Sequence, residues 1–361
     1  MSTAHFQDLP VVAIEAEAAH AAAITLKVPA DQCDTFQFEP GQFITVRATI
    51  QGQDVRRSYS LCSTPAELTR HGLIRIGVRA VEGGLMSNWL TQQLQVDQTL
   101  SVSKPDGRFV IKRPRALHRV GFAAGSGITP ILSILTHTLE SSANAKFTLV
   151  YGNRRMDSVM FNEALQDLKD RYPDRLTLIH ILSRQAQEVP LLEGRIDAAK
   201  VRDLMQVFLP VNSMDEVFIC GPEPMIEATE SALLSAGVKR ERVHTERFAS
   251  AGAPAPMAKP KSTSDSESGG VKLSVIVDGK RHEMRMQSTQ RILDVALQAG
   301  LDLPYSCKAG VCCTCRAKVM SGQVTMEKNF TLEDGEMKQG FVLSCQAVPT
   351  TLEVVVSFDE R

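Results

Sequence analysis

The chain has 361 residues, enough for two or three domains, with 40 Lys plus Arg against 41 Asp plus Glu and a formal charge of −1. That balance offers no basic field for nucleic acid, and no run of about 18 apolar residues offers a membrane span. The opening stretch has no basic segment ahead of its apolar residues, which speaks against a secretion signal. Of eight cysteines, four lie between Cys307 and Cys315 and a fifth, Cys345, follows. Thiols packed this densely suit metal or redox chemistry in the reducing cytoplasm better than a disulfide scaffold.

The first part of the chain reads as short β-rich runs: Ile24–Val28, Phe43–Ala48, Leu73–Val81 and Thr99–Ser103. With one short helical stretch, Ser87–Leu94, they predict an antiparallel β-barrel or sandwich over residues 1–114. From there strands and helices alternate: Arg119–Ala123, then helix Thr129–Glu140; Phe147–Tyr151, then helix Ser158–Arg171; Leu176–Leu182; Glu216–Cys220, then helix Glu223–Ala236. That rhythm predicts a doubly wound α/β domain with a parallel sheet over residues 115–248. Residues 249–270 are poor in large apolar side chains and rich in Ala, Pro, Ser and Gly, which predicts a flexible linker. The last segment, 271–361, reads as a hairpin turning at Asp278 and Gly279, a helix near Ile292–Ala299 and a terminal strand Leu352–Phe358.

The strongest chemical signal is Cys307-x4-Cys312-x2-Cys315 with the distant Cys345. This is the plant-type ferredoxin spacing for a 2Fe–2S cluster, in which each iron takes two protein thiolates. A zinc site or a thioredoxin-like pair is the bland alternative, but only Cys312 and Cys315 form a Cys-x2-Cys pair. Using Cys313 would break the spacing, so it reads as a loop side chain.

A second constellation is Arg57, Tyr59 and Ser60, preceded by Pro40–Phe43 and followed by Gly83–Ser87. A flavin needs an aromatic plate, a hydroxyl near N5, and a cation with N–H donors for its phosphates. Each string alone is weak; their order within one β-rich segment is what carries weight. The third constellation is Gly125-Ser126-Gly127-Ile128-Thr129-Pro130, a strand-to-helix turn suited to a pyrophosphate although a proline stands where the last glycine of G-x-G-x-x-G is usual. Downstream, Cys220-Gly221-Pro222 closes another strand at the edge where ligands bind in such sheets.

Together these blocks resemble the ferredoxin–NADP reductase superfamily carrying a C-terminal plant-type ferredoxin domain. Within it, the strings Arg56–Leu61, Tyr151–Arg154, Phe218–Pro222 and His244–Phe248 with the cysteine loop most resemble the phenylacetyl-CoA epoxidase reductases. The resemblance implies the barrel for residues 1–114 and a β-grasp fold for the C-terminal domain. It also implies a cytoplasmic oxidoreductase that passes electrons from NADPH or NADH through FAD and a 2Fe–2S cluster to an oxygenase component. A flavin is the necessary middle carrier, because a nicotinamide gives two electrons at once and the cluster takes one.

By the same resemblance Arg57, Tyr59, Ser60 and Val78 hold the flavin, Gly84, Leu85, Met86 and Ser87 take its phosphates, and Glu246 and Phe248 lie near its ring. Gly125, Gly127 and Thr129 take the nucleotide pyrophosphate, with Cys220 and Gly221 beside the nicotinamide. Ser183 and Arg184 stand where NADP-using members grip the 2′-phosphate, and Arg154 can add charge there. Two rivals stay open: the reductase of a Rieske-type or other ring-hydroxylating oxygenase, and a non-catalytic carrier or redox sensor.

Overall fold

The computed structural model describes residues 6–248 and 270–360. The predicted linker, 249–270, lies outside the described residues except for Gly270. Two compact units emerge: a larger one running through Gln7–Val55 and Tyr59–Phe248, and a smaller one that includes residues 270–360.

The larger unit begins with a six-stranded antiparallel sheet. Its strands are β1 (Phe6–Ala18), β2 (Ala21–Lys27), β3 (Phe43–Ile50), β4 (Gln53–Ser60), β5 (Leu73–Arg79) and β6 (Thr99–Ser103), in the order β4-β3-β6-β1-β2-β5. An antiparallel bridge from Leu61, just past β4, to Ile76 of β5 draws the two edge strands together and closes the barrel. Its core holds Leu9, Ile24, Phe36, Ile44, Leu61 and Ile76, all fully buried. Two helices flank it, α1 (Pro65–His71) and α2 (Leu85–Gln92).

The sequence reading has a single helix here and assigns no α1, β1 or β4. Strand β1 carries Pro10 and a run of Ala and Glu that dilute its alternation. Helix α1 is locally specified: the Thr64 side chain accepts from the Glu67 N–H, the Glu67 carboxylate accepts from the Thr64 N–H, Pro65 opens the first turn and Gly72 closes it at φ +62°. Helix α2 starts at Leu85 rather than Ser87, directly behind Gly84.

The second half of this unit is a parallel sheet of β7 (His118–Ala124), β8 (Lys146–Asn153), β9 (Leu176–Leu182), β10 (Glu216–Gly221) and β11 (Val243–Arg247), in the order β11-β10-β7-β8-β9. Helices α3 (Ile128–Ser141) and α4 (Asn162–Arg171) pack over one apolar face, α5 (Ala198–Val207) and α6 (Glu223–Ser235) over the other. The order reverses between β7 and β10, so their carboxyl ends form the crevice where ligands of such sheets bind. Helix α5 and strand β11 are additions to the predicted elements, and α4 starts at Asn162 rather than Ser158, after a turn ending at left-handed Phe161 (φ +59°).

Barrel and sheet are fastened within this unit by hydrogen bonds. The Ser133 hydroxyl donates to the Ser63 carbonyl at 2.6 Å, the Phe161 N–H to the Glu17 carboxylate at 2.7 Å, and Arg79 Nη2 to the Ser158 carbonyl at 2.7 Å. The expected change of architecture near Pro114 is thus a change within one compact body.

The smaller unit pairs β12 (Val271–Val277), β13 (Lys280–Met286), β14 (Arg316–Ser321), β16 (Phe341–Leu343) and β18 (Glu353–Ser357) in the order β13-β12-β18-β14-β16, with β15 (Val324–Met326) and β17 (Ala347–Pro349) as a separate ribbon. Helices α7 (Ile292–Gln298) and α8 (Asp334–Lys338) complete it. The β12–β13 hairpin turns at Asp278 (φ +51°) and Gly279 (φ +71°), as the Asp-Gly pair predicts.

Candidate functional site

Strand β4 carries Arg57 and Tyr59 two residues apart, hence on one face, with Ser60 on the other. Arg57 is exposed, Tyr59 partly so, and Ser60 is buried. In the turn before α2, Ser87 Oγ accepts the Val81 N–H at 3.2 Å, which leaves its own proton to give to an anion. Asn88 Nδ2 holds the Gly84 carbonyl at 2.6 Å and the Val81 carbonyl at 2.9 Å, fixing the turn with the helix N–H groups beyond it. Val78 and Met86 turn their side chains into the barrel core.

Ser60 and Glu246 are brought together from opposite ends of the unit, the hydroxyl donating to the carboxylate at 3.2 Å. Glu246 is aligned with Cys220 across the β10–β11 pair. Desolvation, opposed only by the Ser60 hydrogen bond, pushes the Glu246 carboxyl up to about 8. Burial and then the Glu246 charge push the Cys220 thiol well above its ordinary range. Cys220 is fully buried in the apolar cluster with Phe218 and Ala123. Phe248, two residues past Glu246, is exposed.

A carboxyl that keeps its proton longer when folded loses stability to rising pH. In the cofactor-stripped chain, folding free energy is expected to fall between the ordinary Glu value of 4.5 and about 8, because the unfolded chain releases that proton first. Glu246→Gln removes the slope, so urea titrations of variant and wild type should diverge across this window and run parallel above it. Parallel curves throughout would mean that Glu246 ionises as an exposed carboxylate does.

At the nucleotide edge, Gly125 sits at φ +55° in a tight turn leading through Gly127 into α3. A Cβ on Gly125 would meet nothing, whereas one on Gly127 would stand 2.1 Å from the Cys220 carbonyl oxygen and 2.9 Å from the Gly221 nitrogen. Gly125 therefore leaves the turn open, while Gly127 lets it lie directly against β10. A Cβ on Gly221 would in turn crowd Met225 and Ala124, so both glycines serve the close approach of β7 to β10. The Thr129 side chain is buried and its hydroxyl donates to the Ser126 carbonyl at 3.0 Å, so it braces the loop.

Beyond β8 and β9, the Arg184 N–H donates to the Arg154 carbonyl at 2.9 Å, which places two exposed arginines side by side. The Ser183 N–H and hydroxyl both donate to the Asn153 carbonyl, at 2.9 and 3.3 Å.

Further residues, to which the sequence reading gives no role of their own, complete this edge. Tyr151, fully buried, donates its hydroxyl to the Gly125 carbonyl at 3.0 Å and so holds the turn from below. Asn153 on β8 turns its side chain to Tyr151, and Arg79 Nε, on the barrel strand β5, is a buried donor without a hydrogen-bond partner. Glu216, fully buried, accepts the Lys112 N–H at 2.7 Å, Arg119 Nε at 3.1 Å and His244 Nε2 at 3.0 Å, joining β10, β7 and β11 to the segment after the barrel. Burial works against its carboxylate, but the hydrogen bonds from His244, Lys112 and Arg119 outweigh it and hold the carboxyl below its ordinary range. A charged residue opening a buried strand was the available signal for Glu216.

In the smaller unit the four predicted thiols stand as two pairs. The neighbouring Cys312 holds the Cys307 thiol down to about 6, and Cys315 likewise lowers Cys345. Cys312 and Cys315 are pushed up by those same partner thiols and by burial. The Ala309 N–H donates to Cys307 Sγ at 3.3 Å, and the buried Thr314 hydroxyl lies beside Cys312. Among the described residues no three His, Cys, Asp or Glu side chains converge on one point as a single ion needs. Two pairs, two thiolates for each of two irons, fit a 2Fe–2S group. Cys313 occupies a left-handed position (φ +60°) between them.

Three family models match in sequence. Residues 8–111 match the oxidoreductase FAD-binding domain, residues 122–231 the oxidoreductase NAD-binding domain, and residues 275–350 the 2Fe–2S iron–sulfur cluster binding domain. A component of 1,2-phenylacetyl-CoA epoxidase from Escherichia coli (strain K12) is 41% identical over 360 residues, covering 99% of this chain and 98% of that protein. The ferredoxin reductase component of 3-ketosteroid-9-alpha-monooxygenase from Rhodococcus rhodochrous is 35% identical over 355 residues, 97% of this chain and 96% of that one. Among solved structures, phthalate dioxygenase reductase superposes with a TM-score of 0.60 at 22% identity over 98% of both chains, a likeness of fold.

Proposed function

The chain belongs to the family of oxygenase reductases that join FAD-binding, NAD-binding and 2Fe–2S domains in one polypeptide, and from that premise we propose that it supplies electrons from NADPH to phenylacetyl-CoA epoxidase. The observation that carries the choice of partner is the 41% identity along essentially the full length of both chains. We assign residues 1–114 to FAD, 115–248 to the pyridine nucleotide, 249–270 to a linker and 271–361 to the cluster. No described helix is long and apolar enough to cross a membrane. We place the protein in the cytoplasm, where thiols stay reduced.

When bound, the flavin takes both electrons of the hydride and releases them singly. The chain's own residues prepare that exchange. Tyr59 and Arg57 present a plate and a cation from β4, and the turn ahead of α2 receives phosphates on backbone N–H groups and Ser87. The Ser60–Glu246 pair keeps a hydroxyl oriented, and a proton held, where flavin and nicotinamide meet. Buried Cys220 gives that meeting place an uncharged wall. Gly125–Thr129 at the head of α3 takes the pyrophosphate, and Cys307, Cys312, Cys315 and Cys345 hold the irons.

Anaerobic reconstitution with purified phenylacetyl-CoA epoxidase oxygenase components tests the partner: epoxidised product should form in step with NADPH consumed. The 35% relatives from ketosteroid oxygenation favour a second reading, a ring-hydroxylating oxygenase partner. Product formation with such an oxygenase and none with the epoxidase would establish it instead.

The preference for NADPH rests on Arg154 and Arg184, which a doubly charged 2′-phosphate would engage and a free hydroxyl would not. Arg184→Ala is expected to raise the NADPH KM about tenfold or more and the NADH KM less than about twofold. Equal effects in steady-state kinetics would remove the case for a phosphate clamp.

A further inference from the structure

Gln346 directly follows the fourth thiol ligand and is 2% exposed. A glutamine amide this deeply buried must find partners, since an orphaned buried donor loses its hydration with nothing in return. Its Nε2 reaches three acceptors: the Lys308 carbonyl at 3.0 Å, the Cys345 carbonyl at 2.9 Å and Cys345 Sγ at 3.6 Å. The first contact crosses from the Cys345 segment to the loop that bears Cys307 and Cys312. The third lies directly on a cluster-binding sulfur.

The neighbouring ties show why this residue is singular. Ser344 secures the same segment to the Cys315 carbonyl through its N–H at 3.1 Å and its hydroxyl at 2.8 Å. The Gln346 carbonyl accepts the Glu327 N–H at 3.1 Å, and its Cγ packs 3.2 Å from where a Cβ on Gly310 would stand. The side chain is therefore clamped along its length, with its amide tip between the two halves of the ligand set. Two protons serve three acceptors. Once Cys345 is a metal-bound thiolate it is the most negative of the three, so the shared proton moves toward sulfur.

We propose that Gln346 is a positioning and potential-setting residue for the iron–sulfur group: it locks the Cys345 segment to the Cys307–Cys312 loop and donates a side-chain N–H to the Cys345 sulfur. This rests on the assignment of the four cysteines as cluster ligands. One electron arriving at the cluster adds one negative charge, part of it on the ligand sulfurs, and an N–H aimed at sulfur stabilises that reduced form over the oxidised one. Removing the donor lowers the midpoint potential.

Gln346→Met keeps the length and removes the donor; Gln346→Leu removes it with a branched apolar side chain. In the full-length holoprotein, the equilibrium constant for cluster reduction against a reference dye should fall about tenfold, about 59 mV for one electron. In dithionite-reduced wild type carrying glutamine labelled with 15N at the side-chain amide, pulsed electron paramagnetic resonance should detect a coupled nitrogen, and both variants should lack it. A midpoint within about twofold of wild type in a variant of normal iron and sulfide content, or no coupled amide nitrogen in wild type, overturns the proposal. The wild-type measurement decides the matter even if neither variant retains its cluster. Cluster loss on replacing any of the four cysteines tests the underlying ligand assignment separately.

Discussion

Gly127→Ala is expected to abolish pyridine-nucleotide-dependent reduction while flavin and iron contents stay near wild type. The added methyl would stand 2.1 Å from the Cys220 carbonyl oxygen, 2.5 Å from its carbon and 2.9 Å from the Gly221 nitrogen. All three are backbone atoms of β10, so no side chain can swing aside to admit it. Either the turn at Gly125–Gly127 lifts off the sheet or β10 moves, and both spoil the crevice between β7 and β10. Displacing the pyrophosphate donors by even an ångström is costly, and kcat/KM should fall at least about 100-fold with both NADPH and NADH. Dithionite, which needs no nucleotide site, should still bleach the flavin at the wild-type rate. Steady-state kinetics within about threefold of wild type would show that the turn can relax without consequence.

Serine at Cys307, Cys312, Cys315 or Cys345 is expected to remove the cluster absorbance and to lower NAD(P)H-driven cytochrome c reduction about 100-fold, since each loss leaves one iron under-ligated. Cys313→Ser should leave the spectrum intact, because Cys313 sits at φ +60° between the pairs and completes neither. Visible absorption with iron and sulfide analysis checks all five variants. A cluster that survives loss of one named ligand but not loss of Cys313 would reassign the set.

Several elements are written locally and need no tertiary information. The Cys307–Cys315 loop is a spacing, the Asp278–Gly279 hairpin a two-residue turn, and the β7–α3 junction a glycine pattern. Helix α1 is equally legible in Thr64, Pro65, Glu67 and Gly72, a capping box with a glycine stop that is easily passed over because only seven residues follow the cap. Strand β1 is not legible in the same way, since an Ala- and Glu-rich segment becomes a strand only when neighbours pair with it along its length.

The sequence by itself determined which chemistries this chain can hold: four thiols at ferredoxin spacing, a flavin string and a nucleotide turn, each contiguous or nearly so. Tertiary structure alone decided what stands against what. Ser60 and Glu246 are 186 residues apart along the chain and meet at 3.2 Å only because barrel and sheet pack as one body. Glu216 collects Lys112, Arg119 and His244 for the same reason. The Gln346 amide reaches the Lys308 carbonyl across 38 positions. Local patterns are set by backbone geometry over a few residues, so they survive in one dimension. Burial, desolvation and long-range hydrogen bonds arise when the chain returns on itself, and those raise the Glu246 carboxyl and place a donor on the Cys345 sulfur.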